Sequence, residues 1–262
     1  MNNLRKYGHA PFNVAVVHGG PGAPGEMAPV GRELSVLGGV LEPLQTADSV
    51  SGQVRELHDL LCRHGQMPII LIGYSWGAWL SLIFTARHQA LVKKLILVSS
   101  GPLEERYAHR IMDTRLSRLS QPERQEALEL VASLNNTRIK NRDQLLSRFG
   151  KLMSKSDAFD PLPVSPDGEA PELQGEIFRK IWKEAAELRQ KGELLTLSGQ
   201  IHCPTVAVHG DYDPHPAEGI RKPLEQALKD FRFVLLKDCG HTPWVERRAK
   251  DSFYKVLREE LG

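Results

Sequence analysis

Residues 73–77 read Gly-Tyr-Ser-Trp-Gly and stand between an apolar run and a segment that begins with small side chains. A serine in a sharp strand-to-helix turn needs small neighbours, because the backbone there is strained and crowded. The start of the following helix also favours the negative charge that develops when a serine attacks a carbonyl. The pattern therefore predicts Ser75 as a nucleophile. The alternative is a glycine-rich turn that contains an incidental serine.

A serine hydroxyl is a weak nucleophile at neutral pH and needs a base, which a carboxylate must orient. Both groups occur downstream, each after a short apolar run that we predict to be a strand. Asp211 and Asp213 follow the run at 205–209, and His241 follows the run at 231–236. The carboxyl ends of parallel strands lie on one edge of a sheet, so these groups should meet Ser75 there.

His241 is the predicted base because it lies in an exposed loop that can lean over the sheet edge. The alternative for a lone histidine is a surface or capping residue. Asp213 is the preferred orienting acid, since the segment from Gly210 lets the chain turn off the strand before it presents the carboxylate. We expect Asp211 to bond backbone amides of that turn instead.

An oxyanion intermediate needs backbone N–H groups aimed at the tetrahedral oxygen. Trp76, directly after the nucleophile, supplies one of them. The second should come from the His-Gly-Gly-Pro-Gly loop at 18–22, where Gly20 is the expected donor and Gly19 the alternative. Tyr74 and Trp182 are candidate substrate-binding residues, with core packing as the alternative for each.

The elements that must position these residues alternate along the chain. Apolar runs at 12–18, 40–44, 68–72 and 95–99 predict strands, and helical periodicity appears at 50–64 and 76–88. Such alternation predicts a parallel sheet with helices on both faces. The alternation stops near Pro102 and resumes near Pro204, and the segment between is densely charged and helical in pattern. We expect a core domain of residues 1–101 and 200–262 and a helical cap of residues 102–199 inserted in it. The alternative is that these helices belong to the main domain.

The loop at 18–22, the serine motif, Asp213 and the Cys-Gly-His at 239–241 together resemble the α/β-hydrolase superfamily over about residues 12–260. The form of the loop and the tryptophan after the serine are similar to the proline iminopeptidase branch. The resemblance implies an α/β fold of the α/β-hydrolase type, with a mostly parallel sheet flanked by helices and an inserted helical cap. It also implies a serine hydrolase without metal or cofactor. Because few residues precede Phe12, we expect the opening strand pair of the family to be truncated.

The predicted reaction is cleavage of an ester or amide of a small substrate through an acyl-enzyme on Ser75, with a carboxylic ester preferred. An aminopeptidase similar to proline iminopeptidase is the alternative, and it would need an acid such as Glu104, Glu105 or Glu184 to hold the substrate ammonium. A binding protein that kept the fold and lost the chemistry is an alternative of another class. All three triad positions hold competent residues, which disfavours it.

Residues 20–25 also spell the glycine pattern of a dinucleotide-binding loop, with Glu42 at the expected distance. In such a site the third glycine lies inside a helix that continues for several turns. Pro24 and Pro29 remove N–H groups, and a proline inside a helix breaks its hydrogen-bond ladder. The sequence therefore favours a loop there and argues against a nucleotide cofactor.

Composition excludes several classes of protein. With 34 basic and 32 acidic residues the net charge is +2, which lacks the basic excess of a nucleic-acid binder. Hydrophobic residues at 41% and charged residues at 25% are typical of a globular domain. No apolar run approaches the ~20 residues that span a bilayer, and no secretory signal is recognisable. The three cysteines, Cys62, Cys203 and Cys239, have no metal-site spacing and read as small apolar fillers. We expect a cytoplasmic protein that acts on a small molecule or short peptide, with no nucleic-acid or membrane partner.

Overall fold

The computed structural model describes residues 3–22, 24–135, 141–163 and 174–262. Seven strands form one sheet in the order β1-β3-β2-β4-β5-β6-β7. The strands are β1 (Leu4–Tyr7), β2 (Phe12–Val17), β3 (Gly39–Pro43), β4 (Ile69–Tyr74), β5 (Val92–Val98), β6 (Thr205–Gly210) and β7 (Phe231–Leu236). Every neighbouring pair is parallel except β1 and β3, which are antiparallel.

Ten α-helices occupy the described ranges. They are α1 (Ala28–Leu34), α2 (Val50–His64), α3 (Trp76–Arg87), α4 (Ile111–Ser117), α5 (Gln121–Asn135), α6 (Arg142–Asp157), α7 (Gly175–Gln190), α8 (Glu193–Ser198), α9 (Glu218–Ala227) and α10 (Lys250–Leu261). None of the helices in these ranges has the length and apolar character that crossing a bilayer requires. The predicted fold class, an α/β protein with a mostly parallel sheet flanked by helices, is confirmed.

The core lies on both faces of the sheet. All six residues of β4 are buried, as expected for a central strand covered on both sides. One face packs against α2, α3, α8 and α9. The other face packs against α1 and α10. Strands β4 and β6, which precede two of the predicted site residues, are therefore buried along their whole length.

The segment between β5 and β6 contributes five helices, α4 to α8, and among its described residues no strand joins the sheet. Leu119, Ala127 and Met153 form a small separate cluster among α4, α5 and α6. Helices α7 and α8 instead add apolar side chains to the main core beside α2 and α3. Residues 136–140 and 164–173 of the predicted cap lie outside the described ranges, and the cap boundaries at 102 and 199 stay a prediction.

A single strand, β1, precedes Phe12 in the described range and pairs antiparallel with β3 at the edge of the sheet, with Leu4 opposite Pro43 and Tyr7 opposite Val40. One expectation needs correction. The cysteines are not all apolar fillers, since Cys239 is buried whereas Cys62 is exposed.

Candidate active site

Ser75 occupies the turn between β4 and α3 with φ 52° and ψ −114°, a strained combination for a residue with a side chain. Its backbone N–H donates to the Val98 carbonyl at 3.0 Å. A Cβ on Gly77 would lie 2.4 Å from the carbonyl oxygens of Val17 and His18, and one on Gly73 would lie 2.2 Å from that of Gly77. Both glycines of the motif are therefore needed for α3 to pack against β2 and β4.

The three predicted triad side chains come together at the carboxyl edge of the sheet. Nε2 of His241 lies 3.0 Å from Oγ of Ser75, and Nδ1 of His241 lies 2.7 Å from Oδ2 of Asp213. They arrive from the ends of three parallel strands, as the chain order Ser, Asp, His requires. The Asp213 side chain is fully buried and that of His241 is 11% exposed, so the histidine loop is less open than the sequence suggested.

In the described ranges Asp211 contacts the turn that follows β7, and not, as the sequence predicts, the backbone amides of its own turn after β6. Its Oδ1 accepts from the backbone N–H of Cys239 at 3.3 Å, and its Oδ2 lies 3.2 Å from Nζ of Lys237. Asp213, not Asp211, is thus the carboxylate that the structure brings to His241.

A second histidine, which the sequence analysis did not single out, holds the other oxygen of Asp213. The backbone N–H of His215 donates a hydrogen bond to Oδ1 of Asp213 at 2.9 Å, and Nδ1 of the same histidine lies 2.8 Å from that oxygen. Nε2 of His209 lies 3.6 Å from Oδ2 of Asp213 and 2.8 Å from the carbonyl oxygen of His215. The sequence signal that could have identified His215 is its position two residues after Asp213. At this spacing a backbone N–H can bond the carboxylate of the earlier residue.

Burial and charge act in opposite directions on these groups. Burial alone would raise the pKa of Asp213, but the neighbouring charges of His241, His215 and His209 hold it well below its usual value. Burial alone would lower the pKa of His241, and the charge and hydrogen bond of Asp213 outweigh it and raise that pKa. For His215 burial prevails and lowers the pKa to about 4. At neutral pH the site therefore contains an ionised Asp213 and a neutral His215.

Two rings flank the imidazole of His241. The His215 ring centroid lies 4.6 Å from it, and the Tyr74 centroid lies 5.2 Å from it. The Tyr74 hydroxyl is 2.9 Å from Oγ1 of Thr242, and the Tyr74 residue is only 2% exposed. Tyr74 thus packs behind the histidine loop and has almost no surface free for a substrate.

Glu246 ties the histidine loop to the segment that follows α6. Its Oε1 accepts from the N–H groups of Gly240 and Phe159 at 3.0 and 2.8 Å, and its Oε2 accepts from that of Asp160 at 2.8 Å. The N–H of His241 itself donates to the Asp157 carbonyl at 2.9 Å. The position of His241 therefore depends on residues 157–160 as well as on the sheet.

The predicted oxyanion loop follows β2 and contains a left-handed residue, Gly20, at φ 32°. A Cβ on Gly19 would lie 2.7 Å from the Tyr74 ring and 2.8 Å from Oε2 of Glu26. Trp76, the other predicted donor residue, is the first residue of α3. The carbonyl of Gly22 accepts from the N–H of Gln174 at 2.8 Å, so the loop also touches the start of α7.

The dinucleotide reading does not fit this loop. The described residues from Gly20 to Met27 form turns, Ala23 lies outside the described ranges, and α1 starts only at Ala28. Pro29 stands at the beginning of α1, where a missing N–H does not interrupt the ladder. The glycines therefore do not lead into a long helix.

Trp182 on α7 is 41% exposed and stacks on Trp79 with 6.0 Å between ring centroids and 5° between planes.

The three candidate ammonium ligands already have partners. Oε2 of Glu184 accepts from the N–H of Val50 at 2.8 Å, Glu105 pairs with Arg189 at 2.7 Å, and Glu104 pairs with Arg106 at 2.5 Å.

In the described ranges, one group of side chains has ligand atoms close enough to share a metal ion, and it consists of Asp213, His215 and His241 within 4.8 Å. Nδ1 of each histidine is already hydrogen-bonded to the carboxylate. A metal ion bound through those atoms would have to displace both hydrogen bonds.

The sequence model of the α/β hydrolase fold family matches residues 45–247. The chain belongs to this family. It is 26% identical over 213 residues to the pimeloyl-[acyl-carrier protein] methyl ester esterase of Chromobacterium violaceum, covering 78% of this chain and 74% of the relative. It is 22% identical over 221 residues to the monoacylglycerol lipase abhd6-B of Xenopus laevis, covering 82% of this chain and 61% of the relative.

Solved structures share the fold. The crystal structure of VinJ superposes with a TM-score of 0.71 at 18% identity, covering 98% of this chain and 93% of that one. Proline iminopeptidase of Mycobacterium smegmatis superposes with a TM-score of 0.64 at 15% identity and the same coverage. The curated relatives described above are ester hydrolases by name. The protein is therefore an α/β hydrolase with esterase relatives.

Proposed function

We propose that this protein is a serine hydrolase that cleaves carboxylic esters of small molecules through an acyl-enzyme on Ser75. The observation that carries the proposal is the continuous chain of contacts from Ser75 to His241 to Asp213, at 3.0 and 2.7 Å. Such a chain is what a serine needs to become a nucleophile at neutral pH.

In the proposed reaction Oγ of Ser75 attacks the ester carbonyl while Nε2 of His241 takes its proton. Asp213 keeps the second ring proton on Nδ1, so that Nε2 is free to accept. The N–H groups of Trp76 and Gly20 stabilise the tetrahedral oxyanion. His241 then protonates the leaving alcohol, and a water that it activates releases the acid.

The supporting roles differ between the two aromatic candidates. Tyr74 has almost no exposed surface, so we assign it to holding the loop of His241 through Thr242. Trp182 keeps an exposed face on α7, and we assign it to the apolar part of the substrate.

An ester is favoured over an amide for two reasons. The named activities of the curated relatives are those of a methyl ester esterase and a lipase. In addition, an aminopeptidase would need a carboxylate for the substrate ammonium, whereas Glu104, Glu105 and Glu184 each have a partner already. Breaking such a contact to bind substrate would cost part of the binding energy gained.

A fluorophosphonate probe tests the nucleophile. Wild-type protein should react covalently, and Ser75→Ala should lose both labelling and ester turnover. Ser99→Ala is the matched control, because Ser99 also has a positive φ, 46°, and follows the neighbouring strand β5. Labelling that survives in Ser75→Ala would refute the proposed nucleophile, and a wild-type protein that neither reacts nor turns over would favour the binding-protein alternative.

Substrate class is tested by comparing chromogenic esters of increasing acyl length with prolyl and alanyl amides, with Ser75→Ala as the blank. We expect ester cleavage and poor amide cleavage. Efficient release of an N-terminal residue, lost in Glu184→Gln or in Glu105→Gln, would favour the aminopeptidase instead.

A further inference from the structure

The carboxylate of Asp213 is shared between two histidines, and only one of them reaches the nucleophile. Oδ2 faces Nδ1 of His241, and Oδ1 faces both the N–H and Nδ1 of His215. A carboxylate oxygen is only an acceptor, so Nδ1 of His215 must carry a hydrogen in this arrangement. The ring of His215 also packs against that of His241, with 4.6 Å between centroids.

We propose that His215 is a positioning residue that fixes the orientation of Asp213 and lowers the proton affinity of its carboxylate, and thereby sets the basicity of His241. The inference rests on the proposed function of Ser75, His241 and Asp213. It assigns to His215 no contact with substrate.

The physical argument concerns where the proton of the dyad resides. A hydrogen bond to the charged form of a carboxylate favours that form and makes the oxygen pair a poorer proton acceptor. Asp213 then draws less on the proton at Nδ1 of His241, and the imidazole becomes less basic at Nε2. A general base works best when its pKa is near the operating pH. By limiting how far Asp213 raises the pKa of His241, His215 keeps more of the imidazole neutral and able to accept the proton of Ser75.

His215 can do this only as a neutral donor. Its burial lowers its pKa to about 4, so over the neutral range it adds a hydrogen bond without adding a second positive charge beside His241. The other charged groups that act on the rings are Arg115 on α4 and, for His241, Asp157 at the end of α6 and Glu26. His209 acts on Asp213 instead. Arg115 donates to both oxygens of Asp157 at 2.8 and 2.6 Å, so their charges largely offset one another.

The test compares two substitutions of one residue. His215→Leu keeps the volume and removes the ring donor, whereas His215→Asn retains an N–H group near the position of Nδ1. The readout is the second-order rate of fluorophosphonate labelling as a function of pH, which needs no knowledge of the natural substrate. His202→Leu, at an exposed site, is the matched control for loss of a histidine.

In His215→Leu we expect the pKa that governs the acidic limb of the pH–rate profile to rise by about one unit. The reaction should then be about threefold to fivefold slower near neutral pH, roughly tenfold slower at lower pH, and should recover at higher pH. His215→Asn and the control His202→Leu should both keep the pKa that the wild-type protein shows in the acidic limb of the pH–rate profile. A purely structural role would lower the rate at every pH equally. The inference would be overturned if this pKa were unchanged in His215→Leu, or if it rose as much in His215→Asn as in His215→Leu.

A measurement on the unmodified protein covers the case in which His215→Leu does not fold. Nitrogen NMR of the histidine rings should find His215 as the neutral Nδ1–H tautomer from about pH 5 upward. An Nε2–H tautomer would overturn the inference. These outcomes are separate from the proposed function, which fails only if Ser75→Ala still reacts or if the wild-type protein does not.

Discussion

Replacing Asp213 by asparagine should damage catalysis through the tautomer of His241. Oδ1 of Asp213 accepts from two groups of His215, and one of them is a backbone N–H, which can only donate. An asparagine will therefore keep its carbonyl oxygen at that position and turn its NH₂ group toward Nδ1 of His241. His241 must then carry its proton on Nε2, where it faces Ser75 and cannot accept.

The expected loss in kcat is on the order of 10⁴, which corresponds to about 5.5 kcal/mol of transition-state stabilisation. Asp211→Asn is the matched control, since among the described residues its side chain makes a 3.3 Å bond to Cys239 and a contact with the exposed Lys237, and none to His241. It should alter kcat by less than about threefold. Steady-state kinetics on an ester, with circular dichroism to verify folding, decide the matter. A folded Asp213→Asn within tenfold of wild type, or a larger loss in Asp211→Asn, would refute the reasoning.

Two further predictions concern stability. Burial raises the pKa of Glu26 to about 7, above the usual 4.5, so its ionisation opposes folding increasingly as pH rises through that interval. Glu26→Gln should thus be neutral near pH 4 and stabilise the protein by up to about 3 kcal/mol near pH 8.5, as urea unfolding at the two pH values would reveal. Gly77→Ala should cost about 3 kcal/mol or more, because its Cβ would lie 2.4 Å from two carbonyl oxygens. Gly150→Ala, in an open position on α6, should instead gain about 0.5–1 kcal/mol, and thermal melts of the pair compare them directly.

Strands and helices of the sheet were predictable where local pattern and burial agree. The apolar run at 231–236 coincides with β7, and the periodic segment at 50–64 coincides with α2. Strand β1 was missed because its four residues carry no distinctive pattern and gain their structure from pairing with β3, which lies more than thirty residues away in sequence. The sequence alone contains no local signal for such a pairing.

Some residues of the candidate site could likewise be predicted from the sequence, and others could not. Ser75, Asp213 and His241 stand in turns after strands, so the topology of a parallel sheet was enough to predict that they meet. The contacts of His215 and Glu246 depend on the path of loops whose conformation no periodicity specifies. The exposure expected for His241 was wrong for the same reason, because residues 157–160 cover that loop from a distant part of the chain.

The anchorage of the histidine loop through Glu246 limits how this enzyme scaffold can be re-engineered. Exchanging the helices between β5 and β6 for those of another hydrolase is an obvious route to a new specificity. The graft would delete the N–H groups of Phe159 and Asp160 and leave two acceptor positions of a fully buried carboxylate unpaired. A chimera should therefore retain residues 157–160 as native sequence and place its junctions on either side of them.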